Sequence, residues 1–460
     1  MTTDKTIQNS ADYLDIESQQ EYLQSTGSWL IDKAKSMGAI ETELALSKDI
    51  GLSVEVRNRS VDTIEYNQDN NFAITVYFGK NKGTAGTSDL SRESLQDTLN
   101  AACQIAKYTQ PDPHNGLADA NLMAKEKVDL DLDHPIGITA DKAIEIAIEC
   151  ESAGLDYSDK ISLSEGAGFS SHRNLRYYAN SHGFYAVTPS TIHSLSCSLI
   201  AKDAKGMQRD SWYSLNRKQS LMESSKTVGV NAAQKVLKRL DSKKIGTRKC
   251  PVLMIPEVSR GLIQHFCSAI QGSSLYRQSS FLLNSLGNKV FPEFLSFYEE
   301  PLLPSGLAST WYDNEGIATR SQYILQQGKV NTYLLNSYSA RRLGLEPGGH
   351  GGGVHNLKVL FNDGESEQNF ETLVKTMNSG LIVTSVMGQG VNLVTGDYSR
   401  GASGFWVENG QIQHFVEEIT IAGNLNEMFA NLVAVGNDYD YRSSYMTGSW
   451  LLENMTIAGN

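Results

Sequence analysis

Several features that mark common protein classes are missing from this chain. Its five cysteines form no C-x-x-C pair, which favours buried thiols in a reducing compartment over disulfides or a thiolate zinc site. No run approaches the roughly 18 uncharged apolar residues that a membrane span needs. The first 20 residues are polar and acidic without an apolar region, so we expect neither a secretory signal nor a transit peptide and predict a cytoplasmic protein.

Cations are outnumbered, and the net charge of -12 opposes binding to a phosphate backbone. One basic segment stands out between Lys235 and Lys249, with seven cations and one aspartate. We interpret it as the end of a helix followed by a polar linker. The alternative is a nucleic-acid contact through Lys243, Lys244, Arg248 and Lys249.

The sequence also lacks several catalytic motifs. No histidine is followed by glutamate, so the H-E-x-x-H pattern that places two imidazoles and a base on one helix face is absent. There is no G-x-S-x-G elbow, although a Ser-His-Asp triad built from scattered residues stays open. The run Asp129, Asp131 and Asp133 lacks the glycine and glutamate of a calcium loop. It predicts an acidic surface strand with Leu130 and Leu132 turned inward.

The 460 residues exceed what one core supports, so at least two domains are expected. Helical periodicity near 20–37, 91–106, 139–153 and 224–240 alternates with strand-like runs. This pattern predicts an α+β fold whose N-terminal domain, 1–240, is mixed α+β with antiparallel strands. Within it, 20–115 and 125–240 form possible sub-units. The glycines between 79 and 88 are interpreted as a turn between strands.

The remainder, 250–460, is predicted to be a β-rich domain, either barrel-like or a sandwich. Glycine is dense there, and Asn409-Gly410 is a strong hairpin signal. A buried strand at 251–255 runs into a helix. The pentapeptide "TIAGN" occurs at 420–424 and again at 456–460. Two copies of five residues indicate equivalent strand ends, not a repeat architecture.

The stretch "PGGHGGGVHN" (347–356) places His350 and His355 among five glycines. Both imidazoles could ligate zinc if His265, His414 or an acid supplied a third donor. A glycine-rich loop is poorly preorganised for a metal, and glycine also permits close backbone approach. We therefore favour a loop without a metal and keep a metal site at His350 and His355 as the alternative.

Long stretches of the chain resemble one known family, the TldD/TldE (PmbA/TldD) metalloproteases of bacteria, and within it the metal-free PmbA/TldE branch. The stretches include "SLYRQSSFLLNSLG" (274–287), "GLASTWYDNEG" (306–316), "NSYSARRLG" (336–344), "MGQGVNLVTGDYSRGASGFWVENG" (387–410) and "VGNDYDYRSS" (435–444).

The resemblance implies a non-metal-binding subunit of a heterodimeric zinc protease. Its partner would be a homologous TldD-like catalytic subunit that carries the zinc, so this chain would bind no cofactor and supply no catalytic residue. Such pairs degrade unfolded peptides and small antitoxins and process peptide-antibiotic precursors. In the catalytic subunit, a helix of the C-terminal domain bears two histidines and a glutamate, and a late cysteine completes the site. At the matching places this chain has Ile255, Pro256, Arg260 and Thr447.

Further expectations complete the hypothesis. An extended substrate is expected to pair with a sheet edge, with substrate contacts at Gly388, Gln389, Gly390, Gly396 and Gly401. Without its partner the chain could form a homodimer. One alternative is an autonomous metallopeptidase that uses His350 and His355. A second alternative is a DNA-gyrase-associated modulator that acts through the basic linker.

Overall fold

The computed structural model describes residues 16–361 and 368–459, and these form two compact units. The first comprises the described residues up to Ala201 together with Arg209–Val236 and Trp311–Ala318; the second comprises Lys202–Gln208, Leu237–Thr310 and the described residues from Thr319 onward. The first unit thus includes a short segment that lies within the predicted C-terminal domain. None of the described helices has both the length and the apolar run that a membrane span requires.

A six-stranded sheet forms the framework of the first unit. Its order is β3-β2-β1-β4-β5-β6, and the neighbours from β3 to β5 pair antiparallel, as predicted. Its strands are β1 (Glu41–Arg57), β2 (Ser60–Phe78), β3 (Asn81–Thr87), β4 (Ile161–Asn180), β5 (Tyr185–Asp203) and β6 (Gly206–Asn216).

Among the described residues, four α-helices accompany this sheet, close to the predicted positions. Ser91 caps the second helix by accepting from Ser94 N–H, and Thr139 caps the third by accepting from Lys142 N–H, which satisfies donors that the helix itself leaves unpaired. The helices are α1 (Ile16–Ser36), α2 (Arg92–Tyr108), α3 (Ala140–Leu155) and α4 (Ser225–Lys238).

The glycine-rich stretch 79–88 was predicted as a turn, and only its first two residues are one. Residues 81–87 form β3, which pairs with Phe72–Phe78 of β2. Gly83 lies directly under α2, where an added Cβ would be 2.0 Å from the carbonyl oxygen of Ala102. Glycine in this strand therefore serves close helix-to-strand packing and not chain reversal.

The predicted acidic strand at 129–133 is wrong, because this segment pairs with no strand. Asp131 has a φ of 54°, which breaks the alternation that a strand requires. Leu130 and Leu132 are buried, as predicted. The carboxylate of Asp133 forms an ion pair with Arg173 at 2.5 Å.

A closed barrel of five strands organises the second unit and confirms the barrel-like prediction. The ring runs β7-β12-β13-β14-β17 and returns to β7, with β15 added beside β17. The β7–β12 pair is parallel. These strands are β7 (Arg248–Met254), β12 (Gly380–Met387), β13 (Asp397–Glu408), β14 (Gln411–Asn424), β15 (Leu432–Val435) and β17 (Trp450–Ala458).

The two "TIAGN" copies contribute the β14–β17 pairing of this ring. Thr420 lies opposite Ala458, Ile421 opposite Ile457, and Ala422 opposite Thr456. The two equal segments therefore pair antiparallel with each other. The Asn409-Gly410 hairpin is also present, and the φ values of 51° and 67° fit the turn that suits strand twist.

Within the described residues of this unit, a second sheet and five α-helices accompany the barrel. The sheet order is β10-β9-β8-β11-β16, with β8 (Leu295–Glu299), β9 (Gln322–Gln326), β10 (Lys329–Val330), β11 (Leu357–Phe361) and β16 (Tyr445–Met446). The helices are α5 (Pro256–Ala269), α6 (Gly272–Tyr276), α7 (Ser337–Leu343), α8 (Phe370–Met377) and α9 (Leu425–Ala430).

Aromatic rings fill the core between α5 and the two sheets. Phe266 of α5 lies edge-on to Phe291 and Phe297, with ring centroids 5.5 and 5.4 Å apart. Phe291 also stacks on Phe429 at 4.5 Å, and Trp450 of β17 is fully buried. Such ring contacts add to the apolar area that they bury, so α5 is firmly held on the barrel.

Replacement by alanine is expected to have opposite effects on stability at two helical glycines. A Cβ on Gly229 in α4 would lie 2.0 Å from the carbonyl oxygen of Cys150, whereas a Cβ on Gly261 in α5 would meet nothing within 4 Å. We expect Gly261→Ala to raise the free energy of unfolding by about 0.5–1 kcal/mol. Gly229→Ala should lower it by about 1–3 kcal/mol because of overpacking. Urea unfolding of both variants checks the pair, and stabilisation by Gly229→Ala would contradict the packing argument.

Candidate functional site

The passage from β7 into α5 carries the positions that the family pattern singles out. Val252, Leu253 and Met254 of β7 are fully buried. Pro256 is the first residue of α5, where its fixed φ and missing N–H suit a helix start. Ser259 Oγ donates to the carbonyl oxygen of Gly448 at 2.9 Å. The first turn of α5 is thereby bonded to the turn that precedes β17.

Two arginines and two carboxylates form a network beside this turn. Arg442 lies between the two acids, with Nη2 3.0 Å from Glu257 Oε1 and Nε 2.8 Å from Asp440 Oδ1. Arg260 Nη1 lies 3.6 Å from Asp440 Oδ2. The Asp440 side chain is 8% exposed, so charge-assisted hydrogen bonds are little screened there. The guanidinium groups therefore bind the carboxylate oxygens that a divalent cation would need as ligands.

The hydroxyl of Thr447 is also engaged. Thr447 is 1% exposed, and its Oγ1 accepts the indole N–H of Trp450 at 2.8 Å. It donates to the carbonyl oxygen of Gly448 at 3.2 Å. Thr447 therefore anchors a core tryptophan. Ile255 lines an apolar cavity of about 420 Å³ together with Ile382 and Phe405.

A second polar cluster joins the two histidines of the glycine-rich loop. His350 Nε2 lies 2.9 Å from Glu299 Oε2, and His355 Nδ1 lies 3.0 Å from Glu299 Oε1. The backbone N–H of His355 also donates to Oε1, at 2.7 Å. Gln322 Nε2 donates to Oε2 at 3.2 Å. One carboxylate at the end of β8 therefore receives four donors, three of them from the loop.

Electrostatics fix the ionisation of this carboxylate. Burial alone raises the pKa of Glu299, but the hydrogen bonds and charge of the His350 and His355 rings outweigh burial and hold the pKa at about 2. Glu299 is 1% exposed. Since a carboxylate only accepts hydrogen bonds, each ring nitrogen that faces it must carry a proton. The Nδ1 atom of His350 is buried without a partner in the described part of the chain.

This cluster does not fit a zinc site. The two rings address different oxygens of Glu299 and donate to them, whereas metal ligands must offer lone pairs to a common point. Within residues 16–361 and 368–459, no group of three or more histidines, cysteines and acids is arranged to hold a metal ion.

Glu299 is the acid that joins both histidines. Sequence patterns did not identify it, because an acid at a strand end is common.

The other two candidate ligands lie elsewhere in the second unit. The His265 ring contacts Tyr398 with centroids 6.2 Å apart, and burial followed by the charge of Arg400 lowers the pKa of His265. His414 lines the apolar cavity beside Ile255, and burial lowers its pKa as well. Neither histidine hydrogen-bonds to Glu299.

The predicted substrate-binding residues lie around the connection between β12 and β13. A Cβ on Gly390 would lie 1.9 Å from Ser399 O, and one on Gly401 would lie 2.7 Å from Met387 Cγ. Gly396 has a φ of 81° and accepts from Leu425 N–H at 2.7 Å. Packing within the chain thus accounts for these three glycines. Gly388 and Gln389 are exposed, and the substrate role of all five residues stays a prediction.

In the described part of the first unit, the structure does assemble a Ser-His-Asp set. Ser53 Oγ lies 3.1 Å from His172 Nε2, and His172 Nδ1 lies 2.9 Å from Asp49 Oδ1. The ring covers Gly51, where a Cβ would be 2.3 Å from His172 Nδ1. These residues of β1 pair with strands on both sides, so the neighbouring N–H groups are engaged in the sheet and do not form an oxyanion hole. We interpret these three side chains as a hydrogen-bonded cluster on one face of the sheet and not as a catalytic triad.

The basic linker is partly neutralised by its own unit. Lys244 Nζ lies 3.0 Å from Glu418 Oε2, and the Arg248 guanidinium lies 4.8 Å from the Trp406 ring centroid. Lys243 donates its backbone N–H to Phe415 O at 2.9 Å. These contacts tie the linker to β13 and β14, which agrees with a structural connection.

Comparison with known proteins covers nearly the whole chain. Residues 42–106, 133–240 and 247–459 match domain 1, the central domain and the C-terminal domain of the PmbA/TldA metallopeptidases. The metalloprotease PmbA of Escherichia coli O157:H7 is 46% identical over 446 residues, covering 96% of this chain and 98% of that protein. The PmbA homologue of Haemophilus influenzae is 45% identical, with 97% and 98% covered.

Solved structures agree with the fold. A Bacteroides thetaiotaomicron protein, named as a candidate modulator of DNA gyrase, superimposes with a TM-score of 0.88 at 28% identity, covering 95% of this chain and 99% of that chain. TldE from Thermococcus kodakarensis gives 0.79 at 19% identity, covering 94% and 100%, and supports the fold alone. Three successive domain matches and near full-length identity of 46% show that this chain belongs to the PmbA/TldA metallopeptidase family.

Proposed function

We propose that the chain is the non-metal-binding subunit of a heterodimeric zinc metalloprotease. The catalytic zinc would be carried by a homologous subunit, where it polarises the scissile carbonyl and activates water. Unfolded peptides, small antitoxins and peptide-antibiotic precursors are the proposed substrates. Membership of a metallopeptidase family supports the reaction class, and the network at α5 supports the division of labour between subunits.

The network at α5 is the observation that carries this proposal. Zinc sites in proteins are built from histidine, cysteine and carboxylate donors. At the corresponding places this chain has a hydrocarbon, an imino acid, a guanidinium and a hydroxyl, and the hydroxyl of Thr447 is bonded to Trp450. The nearby carboxylates of Glu257 and Asp440 are paired with arginine. A cation would have to displace Arg442 against its charge.

The Glu299 cluster supports a positioning role for the glycine-rich loop. The carboxylate fixes the loop at His350 and at both the ring and the backbone of His355. Asn356 then donates to Glu300 O at 3.0 Å. A loop held at three successive places can present a fixed surface to a partner or a peptide. We propose that this chain completes the substrate chamber and orders the partner's loops.

Peptide hydrolysis should require both subunits. We expect the purified chain to hold substoichiometric zinc and to leave an unfolded peptide intact, and the zinc-bearing homologue alone to be weakly active. An equimolar mixture should cleave the peptide, because the zinc and the completed chamber come from different chains. Mass-spectrometric product analysis and metal analysis of the same samples check this. Stoichiometric zinc in the isolated chain, lost on His350→Ala, would favour the autonomous metallopeptidase instead.

Acid should weaken the Glu299 cluster. The pKa of Glu299 is about 2 in the folded chain and 4.5 ordinarily, so its stabilisation is present above about pH 4.5 and is lost as the pH falls toward 2. At pH 7 we expect Glu299→Gln to lower the free energy of unfolding by about 2–4 kcal/mol. This difference from the unmodified chain should shrink on acidification.

Urea unfolding between pH 7 and pH 3 measures this difference. The matched control is Glu300→Gln, which removes the next carboxylate along the chain and should cost less than about 0.5 kcal/mol. A Glu299→Gln effect that does not change with pH would show that shape, and not ionisation, is what the cluster supplies.

A further inference from the structure

Two stretches of the second unit contain no acidic residue. The chain has 52 aspartates and glutamates, yet none of them lies within 258–292 or within 319–345. These two stretches carry seven lysines and arginines between them. Helix α6 belongs to the first stretch and helix α7 to the second. In a chain whose net charge is -12, this pair of helices therefore contributes positive charge only.

Helices α6 and α7 pack closely against each other. An added Cβ on Gly272 of α6 would lie 2.2 Å from Ser339 Oγ of α7. Asn336 and Ser339 form a capping box that fixes the start of α7. The rings of Tyr276 in α6 and Tyr338 in α7 meet edge-on, with centroids 5.6 Å apart. Side chains at the ends of these helices are therefore presented on a rigid scaffold.

Two arginines from different helices lie over one tyrosine ring. Arg277, the residue that ends α6, has its Cζ 5.6 Å from the centroid of the Tyr276 ring. Arg342, in the last turn of α7, has its Cζ 5.4 Å from the same centroid. Within residues 16–361 and 368–459, both exposed side chains contact this ring and not a carboxylate. The helix dipole accounts for a cation at the end of α7, but not for a second guanidinium on the same ring.

Like charges held this close repel each other. The distance between the two guanidinium carbons cannot exceed the sum of their distances to the ring centroid. That sum is comparable with the Debye length of about 8–10 Å in physiological salt, so the repulsion is only partly screened. The same two stretches hold a second pair, because the exposed Lys289 and Lys329 lie opposite each other in an antiparallel bridge. An anionic partner would relieve the repulsion in both pairs.

We propose that Arg277 and Arg342, stacked on Tyr276, form a binding site for the carboxylates of acidic, unstructured peptide segments. This inference rests on the proposed function and names a substrate class for it, peptides rich in aspartate and glutamate. Each guanidinium can donate two parallel hydrogen bonds to a carboxylate. Lys289 and Lys329 extend the attraction to further acidic residues of the same peptide.

The charge of the whole chain favours a peptide over a nucleic acid at this site. Affinity for a phosphate backbone rests on neutralising many phosphates at once, which the net charge of -12 opposes. A short peptide with a few carboxylates responds mainly to charges within about 10 Å, and α6 and α7 supply cations there. Helix α7 also leads directly into the glycine-rich loop that Glu299 fixes, for which we propose a positioning role.

Peptide binding by the purified chain is the first test. The probes are a labelled peptide of glutamate, serine and glycine with blocked termini, and its counterpart with glutamine at every glutamate position. The chain should bind the glutamate peptide, less tightly as salt is raised, and the glutamine peptide about tenfold more weakly or worse. Arg277→Gln/Arg342→Gln, which we call the site variant, should weaken binding of the glutamate peptide by about tenfold or more, because charge-assisted hydrogen bonds are lost. Fluorescence anisotropy measures both affinities.

The matched control is Arg92→Gln/Arg248→Gln. Arg92 lies over Trp29 at 4.2 Å and Arg248 over Trp406 at 4.8 Å, so the control loses the same charge and the same kind of ring contact at two separate rings. It should bind the glutamate peptide as the unmodified chain does, and it should melt at the same temperature as the site variant. Equal loss of binding in both variants would mean that only net charge matters, and the site would be rejected.

Two further outcomes contradict the assignment. A melting temperature that falls only in the site variant would show that an acid of the chain itself pairs with these arginines. A DNA oligonucleotide that displaces the glutamate peptide, and binds more tightly than it does, would assign the site to nucleic acid instead.

Hydrolysis by a mixture with the zinc-bearing homologue separates this inference from the proposed function. The site variant should raise KM for the glutamate peptide by about tenfold and leave kcat unchanged, because binding is lost equally in the ground state and the transition state. KM for the glutamine peptide should not change. A mixture that cleaves the glutamate peptide with an unchanged KM rejects the site and leaves the two-subunit function standing. If the arginines bind the peptide but the mixture cleaves neither peptide, the site stands and the proposed function fails.

Discussion

A carboxylate removed from water dictates the conformation around it. Glu299 is almost completely buried, and a buried charge is tolerated only when hydrogen-bond donors surround it. The protein meets this demand with two imidazoles, one backbone N–H and one amide. Three of these donors belong to a loop that would otherwise be the least constrained part of the second unit. The glycines allow the backbone conformations that bring the loop to Glu299. The hydrogen bonds to Glu299 then fix the loop in one conformation.

The same principle, that a buried charge needs a partner, also applies at the start of α5. There, two arginines and two acids satisfy each other within a partly buried turn. A network of this kind is self-contained, since each charge already has a partner. The two clusters together account for the most conspicuous polar groups around α5 and the short sheet. This arrangement is in keeping with the positioning role that we propose for this region.

Local sequence patterns predicted much of the fold, whereas features that depend on contacts between residues far apart in sequence were not predicted. Helical spacing near 91–106 and 139–153 gave α2 and α3, and Asn409-Gly410 gave the β13–β14 turn, because these signals act within a few residues. Asp131 was misassigned because a positive φ within an alternating run leaves no mark in the pattern. Glu299, Asp440 and Arg442 were not identified, since their importance comes from neighbours far away in sequence. The segment Trp311–Ala318 joins the first unit for the same reason.

The barrel's ring of strands also governs how the second unit can form. Met254 of β7 pairs with Val383 of β12 on one side and Trp450 of β17 on the other. β7 is therefore synthesised early in this unit, whereas its partners β12 and β17 are synthesised much later. The matching Thr-Ile-Ala segments of β14 and β17 can pair only after both strands have been made. Folds dominated by such distant pairings form slowly. Until the ring closes, the apolar residues of β7 are open to wrong partners, so incomplete closure of this ring exposes the second unit to misassembly during biosynthesis.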